Sequence, residues 1–110
     1  MEELSKKKCV PCQGGIPPLT RAQATPYLKK TPGWELVKSA KKIQRKFGFK
    51  NFLEAMQFIN NVAAIAEQEG HHPDIFVSYN KVTVSIYTHK INGLHENDFI
   101  LAAKISKLLE

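Results

Sequence analysis

The clearest pattern in this chain runs from Asn51 to Gly70. Phe52, Ala55, Met56, Ile59, Val62, Ala63 and Ala66 recur at intervals of three and four residues, which sets one apolar stripe on a helix of about five turns. Asn51 and Glu54 supply a cap and box at its start, and Gly70 supplies a stop. A stripe of this kind belongs to a core rather than to a cofactor site.

Strand patterns flank that helix. Trp34-Glu35-Leu36 begins one strand, and Ile43, Phe47 and Phe49 alternate with Gln44, Lys46 and Gly48 in a second. These two predict a hairpin turning near Ala40-Lys41, with Trp34 in the core. After the helix, Ile75 to Tyr79 and Val82 to Thr88 read as strands joined by a tight turn at Asn80-Lys81. A last helix opens in Leu94-His95-Glu96-Asn97-Asp98, with Leu101, Ala102, Ile105, Leu108 and Leu109 as its apolar face. At the other end, Thr20 and Gln23 have the spacing of a capping box. The helix they open is expected to break or restart at Pro26, which cannot donate a helical hydrogen bond, and to end near Thr31-Pro32-Gly33.

The predicted order is α-β-β-α-β-β-α. Consecutive hairpins imply a four-stranded antiparallel sheet with the helices packed on one face, a two-layer α+β fold. Residues 1–19 read as an extended N-terminal arm and residues 20–110 as the domain. At 110 residues the chain is long enough to bury a core without disulfides or metals.

Charge and cysteines change this picture little. The net charge is +6, but the lysines are scattered and no basic stripe is interleaved with aromatics. A solvated basic surface is expected, with no direct nucleic-acid binding. No apolar run reaches the length of a membrane span, and the first residues lack the apolar segment of a secretory signal. A cytoplasmic location is expected. Cys9 and Cys12 form a Cys-x-x-Cys with no second pair to complete a zinc site, so they read as a small turn in a loosely packed arm.

The candidate chemistry lies in the histidines. All four fall between residues 71 and 95, and histidine both gives and takes protons near neutral pH. With a two-residue turn at Asn80-Lys81, Tyr79 would face Val82, Val77 would face Val84 and Ile75 would face Ile86, all toward the helices. His72 would then fall opposite His89 on the other face, close enough to grip one small molecule. His71 would alternate away. Glu67 could orient a ring, whereas Glu69 reads as a solvated carboxylate. Adjacent histidines make poor chelate spacing, so no metal is expected. His95 reads as structural. Acid–base work on a bound small molecule fits the remaining three best.

The same residues carry a resemblance. Glu67-x3-His71-His72-Pro73-x5-Tyr79, then Thr88-His89, then Gly93-Leu94-x3-Asp98 is similar to the pattern of the pterin-4a-carbinolamine dehydratases. The likeness runs from Gly33-Trp34 to Ile105 and includes Phe47-x-Phe49 and Leu101-Ala102-x2-Ile105. The chain departs from the family at His95, where Thr or Ser is usual, and at Ile75, where some members have Trp. The resemblance implies a 4a-hydroxytetrahydrobiopterin dehydratase, which converts 4a-hydroxy-tetrahydropterin to quinonoid dihydropterin and water. It implies no cofactor, since the pterin is the substrate. His71, His72 and His89 would be catalytic or contact substrate. Pro73, Thr88, Lys90 and Ile91 would line the pterin site, with Glu67 in support. It implies a role in recycling tetrahydrobiopterin for aromatic amino acid hydroxylases, and a homodimer or homotetramer. The alternative it carries is a protein-binding module, since the animal member stabilises dimers of a homeodomain transcription factor. A pterin-related role without an aromatic hydroxylase is a third.

Overall fold

The computed structural model describes residues 3–10 and 14–109. Among them the chain forms α1 (Arg21–Lys30), β1 (Glu35–Val37), β2 (Lys42–Gly48), α2 (Phe52–Glu69), β3 (Asp74–Ser78), β4 (Lys81–Ile86) and α3 (Glu96–Lys107). Single 3-10 turns stand at Leu4–Lys6 and His89–Ile91. The sheet is antiparallel in the order β1-β2-β4-β3. The predicted two-layer α+β arrangement is therefore the observed one. Ile43, Phe47, Val82, Val84 and Ile86 point from the sheet into a core completed by Ala55, Phe58 and Val62 of α2 and Phe99, Ala102 and Ile105 of α3. Trp34 is in that core, edge-on to Phe47, and its indole N–H donates to Ser106 Oγ.

Several local expectations fail for reasons that lie in packing. Pro26 does not break α1, which runs through it. Ala24 is fully buried and Tyr27 stacks on Phe99 at 5.0 Å between centroids, so contacts on both sides of the proline hold the helix together. The buried line of α2 is Ala55, Phe58, Val62 and Ala66. Phe58, absent from the predicted stripe, packs against Phe47 and Phe49, while Phe52 and Ala63 are exposed. The α3 helix ends at Lys107, which leaves Leu109 outside the core. The first hairpin turns over Lys38 to Lys41, with Lys41 N–H donating to Lys38 O.

The second hairpin has a different register from the one expected. Val77 pairs with Val82 and Ile75 with Val84, so the turn is Tyr79-Asn80. Asn80 decides this. Its side-chain amide donates to Phe49 O at 2.7 Å and its carbonyl accepts from Phe49 N–H at 2.9 Å. That clamp to the end of β2 fixes where the hairpin reverses. A shift of two positions preserves the face on which each side chain lies, so Ile75 and Val77 still pack toward the core. Tyr79 instead moves into the turn and is exposed, with φ of 51°.

The arm is not loose. Leu4 is 5% exposed and belongs to the core. Lys104 Nζ donates to Ser5 O, Lys7 pairs with Glu96, and Leu19 N–H donates to Leu94 O. Gly93 approaches Pro18 so closely that any side chain there would collide with the proline ring. The Cys9-to-Cys12 motif is described as far as Val10, and Cys12 lies outside the described residues.

Candidate functional site: a histidine cleft closed by the arm

Three backbone features converge at one end of the sheet. Gly70, in the left-handed conformation at φ 65°, ends α2 and turns the chain into His71-His72. On the neighbouring strand, β4 stops at Ile86 and Thr88 bridges to Gly93, with Thr88 N–H donating to Gly93 O at 2.8 Å. The loop enclosed by that bridge is the 3-10 turn carrying His89 and Lys90. The start of α3 closes the third side.

Asp98 organises these elements. It is fully buried, and three donors reach it. Oδ2 accepts from the Thr88 hydroxyl at 2.9 Å and from His95 N–H at 2.8 Å, while Oδ1 lies 2.5 Å from His71 Nε2. The carboxylate can only accept, so Nε2 of His71 carries a hydrogen and Nδ1 is the nitrogen left for chemistry. Asp98 thus ties His71, the Thr88 strand end and the α3 start into one unit. In the sequence Asp98 belongs to the family motif, with no role in the site expected of it. Locally it is one of two carboxylates, with Glu96, in the first turn of a helix, a position that reads as a cap.

His72 is exposed. Its Nε2 lies 2.5 Å from Glu67 Oε2, a pair between two exposed side chains. His89 leans on Tyr87, with centroids 4.2 Å apart, and among the described residues neither of its ring nitrogens is hydrogen-bonded. These histidines face one cleft of about 500 Å3, lined also by Cys9, Val10, Glu69, Gly70, Thr88, Lys90 and Asn97. The predicted cross-strand pairing of His72 with His89 does not occur. The strands end at Asp74 and Ile86, and the 3-10 turn brings His89 to the cleft instead. Of the other expected lining residues, Thr88 and Lys90 are present, whereas Pro73, Ile91 and Glu67 stand outside the lining. Among the described residues, no group of three or more His, Cys, Asp or Glu side chains could hold a metal ion.

Glu69 is the clearest reversal. It is not solvated. The arm covers it, Cys9 N–H donates to its Oε1 at 2.9 Å, and Lys104 Nζ stands 3.6 Å from Oε2. Burial pushes the Cys9 thiol up to about 12, and the Glu69 carboxylate adds to the rise. Cys9 is therefore held as a thiol rather than a nucleophilic thiolate. His95 has a structural part: its Nδ1 accepts from Asn97 N–H at 3.0 Å and caps α3 where Thr or Ser would be the usual residue.

This fold and histidine cleft define a class. Residues 17–108 match the family model described as Pterin 4 alpha carbinolamine dehydratase. Relatives carrying the name "Putative pterin-4-alpha-carbinolamine dehydratase" come from Methylococcus capsulatus and Halorhodospira halophila. Each is 53% identical over 105 residues, covering 96% of this chain and 92% and 96% of the relative. A crystal structure from Brucella melitensis, described as a transcriptional coactivator/pterin dehydratase, superposes with a TM-score of 0.79 at 35% identity, covering 84% of this chain and 99% of that one. A pterin dehydratase-like protein described as a RuBisCO assembly factor shares the fold at a TM-score of 0.61 and 20% identity, over 70% of this chain and 89% of its own. The chain belongs to the pterin 4 alpha carbinolamine dehydratase family.

Proposed function

We propose that this protein dehydrates 4a-hydroxy-tetrahydropterin to quinonoid dihydropterin and water by histidine acid–base catalysis. The observation that carries the reading is His71, fixed by buried Asp98 in a cleft shared with His72 and His89. In the reaction the C4a–O bond breaks, the hydroxyl leaves as water with a proton from an acid, and N5 loses its proton as the N5=C4a bond forms. His71 Nδ1 suits the base, since Asp98 holds the hydrogen at Nε2 and steadies the cation formed on proton uptake. His89 and His72 are the groups that deliver a proton to the departing hydroxyl. Such transfers contribute about 10²–10⁴-fold each. Thr88 fixes the carboxylate, and Lys90 lines the cleft. The reading places the chain in cytoplasmic tetrahydrobiopterin recycling.

The test is direct. Carbinolamine generated chemically should dehydrate faster with the protein than without it, and a chelator should leave that acceleration intact. Activity lost on chelation and restored by zinc would overturn the mechanism. No helix of the described residues is long and apolar enough to cross a membrane.

A second reading is a protein-binding role. It is favoured by Phe52 and Leu53, which leave 49% and 67% of their surface exposed on the first turn of α2. Wild-type protein with no dehydration above the uncatalysed rate would favour it.

A further inference from the structure

The acid–base reading leaves Glu69, Asn97 and the arm without a role. Resting on that reading of the cleft, we propose that Val10 is a specificity-determining wall of the pterin site, set in place by Asn97 and Glu69 through the arm backbone. Its apolar side chain would take one flat face of the bound ring.

Three backbone polar atoms of Cys9 and Val10 are held by buried side chains. Cys9 N–H donates to Glu69, and Val10 N–H donates to Asn97 Oδ1 at 3.0 Å. Asn97 Nδ2 returns a hydrogen bond to Val10 O at 2.6 Å, so the amide pairs with Val10 as a neighbouring strand would. Asn97 is 3% exposed, which makes this a buried clamp rather than a surface contact. Upstream, Leu4 anchors the arm in the core.

Against that rigidity, Val10 is 58% exposed. An apolar side chain held out from a fixed backbone has no part in the core, yet it lines the cleft that holds the three histidines. The other side chains of that lining are polar or cysteine. Binding sites for flat heterocycles combine a few polar groups that read the edges with apolar surface for the ring faces, and Val10 is the aliphatic surface available here.

Two further observations fit. A carboxylate at the C-terminal end of α2 opposes the helix dipole, so Glu69 is a poor choice for the helix alone. It receives the arm's N–H and the Lys104 charge instead. Asn97 also immediately precedes Asp98, so the arm and His71 are both positioned from the first turn of α3.

The experiment compares Val10→Asp, Val10→Ile and Asn97→Ala in the dehydration assay, with equilibrium binding of 7,8-dihydropterin as an independent readout. Val10→Asp should raise KM and weaken dihydropterin binding about tenfold, the scale of one aliphatic face lost from contact. The change should fall on KM rather than kcat, with an unaltered melting temperature. Val10→Ile, which keeps an aliphatic face, should lie closer to wild type than Val10→Asp in both KM and dihydropterin binding. Asn97→Ala, which frees the arm, should shift KM in the same direction. Wild-type KM and binding in Val10→Asp, beside an active wild-type enzyme, would overturn the wall and leave the catalytic reading standing. An inactive wild-type protein that does not bind dihydropterin would overturn both.

Discussion

Replacing Asp98 by Asn separates catalysis from architecture at the centre of the site. The substitution keeps the shape and removes the charge. The amide oxygen can still accept from Thr88 and His95, as Oδ2 does now at 2.9 and 2.8 Å. Its nitrogen then faces His71 Nε2, where Oδ1 stood at 2.5 Å. Two donors cannot share that contact. His71 must move its hydrogen to Nδ1, the nitrogen required as the base. Hydrogen bonds to charged groups are worth about 1.5–3 kcal/mol each, and the variant weakens bonds that remain rather than deleting them. A stability loss of about 2 kcal/mol follows, or a fall of roughly 9 °C in Tm for a domain of this size. The rate loss should be larger, about 10²–10⁴-fold in kcat, because the base is presented in the wrong tautomer. Asp98→Ala should be worse for folding. It leaves buried donors unpaired, at about 1–3 kcal/mol for each. The assay is kcat for carbinolamine dehydration beside a thermal melt of the same sample. A variant that melts lower but keeps the wild-type kcat would show that Asp98 only caps α3, and the role given to His71 would fall with it.

His72→Ala and His89→Ala should each lower kcat by about 10²-fold or more with melts close to wild type, since both side chains are exposed. Wild-type turnover in either variant would remove that residue from the mechanism. His95→Ala should cost about 1 kcal/mol of stability through the lost cap, and His95→Ser should recover most of it. Equal stability of all three would show that the imidazole does not cap. Strand β3 lies at a sheet edge, with Phe76 exposed, and such edges invite pairing. Light scattering should therefore give a dimer or tetramer of the 12.4 kDa chain, and a monomeric mass would refute this.

The sequence by itself determined the elements, their order and the inward face of each strand. These rest on local periodicity and on turn and cap chemistry, which neighbouring residues set among themselves. Val82, Val84 and Ile86 alternate inward whatever the hairpin register, because a two-residue slip changes partners without changing faces. The sequence also marked the three histidines, since their scarcity and crowding are visible in one dimension. The tertiary structure alone decided how those histidines meet. Asn80 sets the hairpin through a contact 31 residues away, and the 3-10 turn rather than a strand rung brings His89 to the cleft. Asp98 reads as a helix-start carboxylate until burial points it at His71, 27 residues earlier. Glu69 reads as solvated until an arm 60 residues upstream covers it. In each case the deciding partner is remote in sequence, and only folding of the whole domain brings the two together.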